Sequence, residues 1–109
     1  MTTLQILKAA RELISVPERW IRGTDACDAS GKPVDPCSCS ACSWCMAGAL
    51  WHVCGGVPPD PVDAALVRVM HARRMRYQTF IGYNDNRRNR HPAILGFLDQ
   101  AIALEEAQQ

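Results

Sequence analysis

Apolar positions recur at helical spacing in four stretches of the chain, separated by polar joints marked with Gly and Pro. In the first stretch, Leu4, Ile6, Leu7, Ala10, Leu13 and Ile14 fall along one face of a helix. Thr2 and Gln5 stand at capping-box spacing at its start, and Pro17 stops it near Ser15. Ser15-Val16-Pro17-Glu18 reads as the cap of a short helical turn that carries Trp20. Residues 23–36 are rich in Asp, Ser, Gly and Pro, with a turn at Ser30-Gly31, and predict a loop or a very short hairpin.

The second stretch predicts a helix from Ser40 to the Gly55-Gly56 pair, with residues 41–54 as its body. On its wheel Cys42, Cys45, Met46, Ala49 and Val53 share one face, while Trp44, Gly48 and Trp51 line another. A helix apolar nearly all round belongs at the centre of a domain, with Gly48 admitting a neighbouring helix and the two tryptophans dominating the buried volume. Asp60-Pro61 supplies a cap and a first-turn proline for the third helix, whose stripe is Val62, Ala65, Leu66, Val69 and Met70. Arg73 and Arg76 would fall on that stripe, so the helix stops near Ala72 or its arginines reach outward at the rim. A short element over 79–83 leads into Asn84-Asp85 and a polar loop. His91-Pro92 opens the last helix, with Ile94, Leu95, Leu98, Ala101 and Ile102 inward. The expected fold is mainly α, about four helices around a buried central helix (41–54), in a single domain spanning 1–109.

Composition narrows the class of protein without naming it. The 109 residues are 48% apolar and 21% charged, ordinary for a globular domain. The net charge of +1 sets no global field toward nucleic acid or membrane. No apolar run approaches the roughly 20 residues of a membrane span. The first fifteen residues interrupt their apolar positions with Lys8, Arg11 and Glu12, unlike a signal peptide. These features lead to the expectation of a cytoplasmic protein with no membrane partner and an oligomeric state the sequence leaves open. In that compartment six cysteines read as thiols or metal ligands rather than as a disulfide framework.

Several short motifs together resemble an uncharacterised family of small bacterial and phage proteins. They are Arg19-Trp20, Trp44-Cys45-Met46-Ala47-Gly48-Ala49-Leu50, Tyr83-Asn84-Asp85, His91 and Leu98-Asp99-Gln100-Ala101-Ile102. The chain departs from the family pattern at Tyr83, where a tryptophan is usual, and at Asn89, where an arginine is common. Cys27, Cys37 and Cys39 look like additions to it. The resemblance implies the helical architecture and brings no activity with it.

Three constellations are candidates for chemistry. Cys37, Cys39, Cys42 and Cys45 lie within nine residues, with His52 and Cys54 downstream. Thiolates at two-residue gaps can converge on one ion; zinc would suit Cys39, Cys42 and Cys45 with Cys37 or Cys54 as the fourth ligand. The plainer alternative is core cysteines and loop thiols, with no cofactor. Second, Cys45 or Cys42 near a helix start could act as a nucleophile with His91 as base, oriented by Asn84 or Asp85, in a cysteine-dependent hydrolase that would use Cys45 first. The plainer alternative is a buried thiol, a capping histidine and turn formers. Third, from Arg68 to His91 seven arginines (68, 73, 74, 76, 87, 88 and 90) face one acid, Asp85. Arg73, Arg74, Arg76, Arg87, Arg88 and Arg90, with Tyr83, Asn84 and Asp85, would form a surface for nucleic acid or an acidic protein partner. Salt bridges to Glu105 and Glu106 would account for the same charges on a plain solvated surface. The balance leans away from an enzyme and toward a small binding or regulatory accessory protein acting through this arginine-rich segment.

Overall fold

The computed structural model describes residues 1–75 and 79–108. Among them five α-helices surround a core built on the middle of the chain. Helix α1, Thr3–Leu13, begins with the reciprocal cap: Gln5 N donates to Thr2 Oγ1 at 3.1 Å, and Thr2 N to Gln5 Oε1 at 2.8 Å. A 3₁₀ turn over Pro17–Arg19 follows and delivers Trp20. Strand β1, Ala26–Cys27, pairs antiparallel with β2, Ser43–Trp44, placing Ala26 opposite Trp44 and Cys27 opposite Ser43. Between them the turn-rich segment forms a tight bend in which one Asp28 oxygen accepts from Ser30 N, Ser30 Oγ and Lys32 N. Helices α2 (Met46–Cys54), α3 (Asp60–Ala72), α4 (Phe80–Asp85) and α5 (His91–Ala107) complete the fold.

Helix α1 packs on α2 and on α5, and α3 packs on α5. Among the fully enclosed side chains are Leu7 and Ile14 from α1 and its cap, Met46 and Leu50 from α2, Val62, Leu66 and Val69 from α3, and Ile94, Phe97 and Leu98 from α5. The radius of gyration, 13.0 Å, is what a compact chain of about 100 residues has.

The central helix is shorter than its sequence pattern predicts. Residues 41–45 are not helical, because their backbone donors are taken by the preceding loop. Cys42 N donates to Cys27 O at 2.8 Å, and Cys45 N to Asp25 O at 3.1 Å. Only at Met46 does the helix start, with Cys45 as its cap residue. Trp44 and Trp51 therefore do not share a helix face. Trp44 is buried in β2, while Trp51 is 38% exposed on the outer side of α2. Gly48 does permit a close approach, but to backbone ahead of β1 rather than to a helix: a Cβ there would lie 1.9 Å from the Asp25 carbonyl oxygen. Asn84 and Asp85, expected in a loop, form the last turn of α4.

Candidate functional site

Helix α4 is short and carries Asn84, a polar side chain bonded to four different residues. Thr79 caps it, its hydroxyl accepting from Gly82 N at 3.1 Å, and this aims Asn84 into the interior, where it has no exposure. Asn84 Oδ1 accepts from Trp20 Nε1 at 2.7 Å and from Met46 N at 3.1 Å. Its Nδ2 donates to Ile21 O at 3.1 Å and to Asp85 Oδ1 at 3.0 Å. Both lone pairs and both N–H groups are thus used, which is the full capacity of an asparagine side chain. Met46 N is one of the first-turn donors that α2 cannot satisfy internally, so Asn84 caps one helix from another. Asp85 extends the junction by accepting from Gly23 N at 3.0 Å.

The next residues form a loop held from beneath. The Arg22 guanidinium lies 4.9 Å from the Trp20 ring centroid and donates to Asn89 O at 2.7 Å and to Arg87 O at 3.4 Å. Asn86 Oδ1 accepts from Arg88 N at 2.9 Å, and Asn89 Nδ2 donates to Tyr83 O at 3.0 Å. Out of this fixed backbone Arg87, Arg88 and Arg90 project as exposed side chains. Among the described residues none of the three is in an ion pair.

The other expected binding residues divide. Arg74 is exposed just past α3, with a left-handed φ of 51°. Arg73 packs over Phe97 at 5.4 Å and reaches the Tyr83 hydroxyl at 3.3 Å, and Arg68 pairs with Glu105 at 2.6 Å, so both stitch helices together. Arg76 lies outside the described residues. Tyr83 and Asn84 correct the sequence reading: at 6% and 0% exposure they face inward, because Tyr83 stacks on Phe97 at 4.9 Å and Asn84 fills the junction.

The proposed nucleophile and base have other engagements. The Cys45 sulfur accepts from Gly48 N at 3.2 Å as the cap of α2 and lies 3.9 Å from Asp25 Oδ1. Burial pushes its thiol up to about 11, with Asp25 and Asp85 adding to the rise against the opposing Gly48 amide. His91 donates through Nε2 to Ile14 O at 2.7 Å and lies 5.9 Å from the Trp20 ring. No hydrogen bond joins Cys45 and His91 among the described residues. The thiol is thus neutral at pH 7, and the histidine ties α5 to the end of α1.

The cysteine run is likewise dispersed. Cys37 Sγ donates to Trp51 O at 3.7 Å, Cys42 Sγ to Ser40 O at 3.4 Å, Cys45 is a buried cap, and Cys54 ends α2. Among the described residues no three His, Cys, Asp or Glu side chains gather as metal ligands would. The expected Cys39, Cys42 and Cys45 ligand set fails locally, since the strand between Cys42 and Cys45 replaces the helical turn that would have stacked them on one face.

Sequence reasoning missed Arg22 and Asp25. Neither carries a local signal, because Arg22 donates to the Asn89 carbonyl and the Asp25 carbonyl receives Cys45 N, partners distant in sequence. The motif residues, by contrast, converge: Trp20, Trp44, Cys45, Gly48, Asn84, Asp85 and His91 all belong to the junction between the 20–27 loop, α2 and α4 or its immediate border. No curated protein and no solved structure matches the chain. The sequence profile of DUF6197, a family of unknown function, matches residues 1–104, nearly the whole length, and the chain belongs to that family.

Proposed function

We propose that this protein is a non-enzymatic binding module that holds an anionic partner, nucleic acid or an acidic protein surface, on the loop carrying Arg87, Arg88 and Arg90. One observation carries the reading: three exposed guanidinium groups within four residues stand on a backbone already immobilised by Arg22, Asn86 and Asn89. A loop ordered before it binds loses little conformational freedom on binding, and arginine forks match phosphate and carboxylate oxygens in pairs. A reducing cytoplasmic setting suits the six unpaired cysteines.

The test is a titration series at several ionic strengths with duplex DNA, single-stranded nucleic acid and polyglutamate. For a nucleic-acid partner, Arg87→Ala, Arg88→Ala and Arg90→Ala combined should flatten the slope of log K against log salt by about two to three units. A carboxylate partner should show a shallower slope from the start and the same loss of affinity. The folded state should change by less than about 0.5 kcal/mol, as exposed charges contribute little. Binding to none of these polyanions, or unaltered binding by the triple variant, would overturn the reading.

A further inference from the structure

The arginine loop leaves the clustered cysteines without a role, and their geometry suits a two-electron chemistry better than a metal. We infer that Cys39 and Cys42 form a redox-active dithiol, a modification site that hydrogen peroxide oxidises to an intramolecular disulfide.

All six cysteines are free thiols, and Cys37, Cys39 and Cys42 are the exposed ones. Cys39 sits inside a turn closed by Ala41 N donating to Ser38 O at 3.1 Å, and Cys42 lies one residue past its end. The turn is held further by Ser40 N on Ser38 Oγ at 3.2 Å and by the Ser38 and Ser40 hydroxyls at 2.8 Å. A disulfide needs its two Cα atoms within about 7 Å, and the turn that holds Cys39 shortens the path to Cys42, three residues on. The Cys42 sulfur rests 3.4 Å from Ser40 O, folded back over the turn that presents Cys39.

Competing pairings are disfavoured by placement. Cys37 is turned onto the Trp51 carbonyl of α2. Cys45 is enclosed as a helix cap, and Cys27 is half-buried in β1 rather than exposed. The site sits where it can be felt: Cys42 N holds Cys27 O and leads directly into β2.

The chemistry balances with peroxide as oxidant. The thiolate of Cys39, which makes no hydrogen bond among the described residues, attacks one peroxide oxygen. The O–O bond breaks, a sulfenic acid forms and the other oxygen leaves as hydroxide, which becomes water with the proton given up by the Cys39 thiol. The Cys42 thiolate then displaces the sulfenic oxygen as hydroxide, which becomes a second water with the Cys42 proton, and forms the S–S bond. Two electrons pass from sulfur to oxygen, and an external dithiol restores both thiols by exchange.

Reduced full-length protein should be treated with hydrogen peroxide, its remaining thiols alkylated, and its peptides mapped by mass. Two thiols per chain should disappear, in a single peptide spanning Cys39 and Cys42, and dithiothreitol should return both. Cys39→Ser and Cys42→Ser should each abolish the product, while Cys37→Ser and Cys54→Ser should leave it. Far-UV circular dichroism of each variant checks that the fold is retained, which exposure of both positions leads one to expect. A disulfide mapped to another pair, only intermolecular disulfides, or sulfinic acid without any disulfide would each overturn the assignment.

Discussion

Asn84 shows what one residue can hold when every bond it can make is made inside the protein. Truncation to Ala would remove the partner of Trp20 Nε1, Met46 N and Ile21 O, of which the Met46 bond is buried and the other two partly so. Unsatisfied buried groups cost about 1–3 kcal/mol each, so Asn84→Ala is expected to destabilise by roughly 3–5 kcal/mol in urea unfolding. Asn84→Asp would keep the acceptor, lose both donors and set a carboxylate against Asp85; its deficit should therefore shrink as pH falls from 7 to 5. Cys45 titrates at the opposite end of the scale. Its thiol, pushed from 9.0 to about 11 chiefly by burial, is protonated in the folded state where the unfolded chain begins to ionise. Above pH 9 the folded state binds more protons, so stability falls as pH rises. The loss should approach roughly 2–3 kcal/mol by pH 11 and should be reduced in Cys45→Ala, compared by denaturant midpoints across that range. The same burial should make Cys45 the slowest thiol to alkylate at neutral pH.

At the scale of elements, the helices were legible wherever periodicity and caps agreed. The Thr2–Gln5 box, Asp60-Pro61 and His91-Pro92 open α1, α3 and α5 within a residue of the expected places, although Asp60 is the first helical residue of α3 rather than its cap, which is Pro59 with no side-chain bond. The failure at 41–45 has a definite cause. Ser43 and Trp44 are compatible with either period over so short a run, and the deciding bonds come from Asp25 and Cys27, which lie far off in sequence. The apparent tryptophan face was thus a coincidence of spacing across a strand–helix junction. Its consequence is measurable: Trp44→Ala should cost about 3–5 kcal/mol, whereas Trp51→Ala, at a position 38% exposed, should cost less than about 1 kcal/mol. Gly48→Ala should be comparably severe to the first, about 3 kcal/mol, since the added carbon meets backbone that cannot rotate away. Equal losses at the two tryptophans would contradict this arrangement of α2.

Across the whole molecule, the candidate site was legible as composition but not as surface. The sequence shows seven arginines in one segment; only the fold separates those that bind helices to one another, Arg68 and Arg73, from those left facing solvent at Arg87, Arg88 and Arg90. No helix among the described residues is long and apolar enough to cross a membrane. The long-range ties also determine how the chain should unfold. Arg11 meets Asp99 at 2.8 Å, His91 meets Ile14 O at 2.7 Å, and Asn84 joins residues 20–21 to α2. The first helix, the middle of the chain and the last helix each lean on the other two, so no segment can leave without exposing partners of the rest. Unfolding in urea is expected to be a single transition. Tryptophan fluorescence, to which Trp20 and Trp44 at the junction contribute along with Trp51 on α2, should trace the same midpoint as far-UV circular dichroism, which reports the helices. Fluorescence changing at distinctly lower urea than the helical signal would mean that the Asn84 junction opens while the helices persist, and that the arginine loop it supports is not part of the cooperative fold.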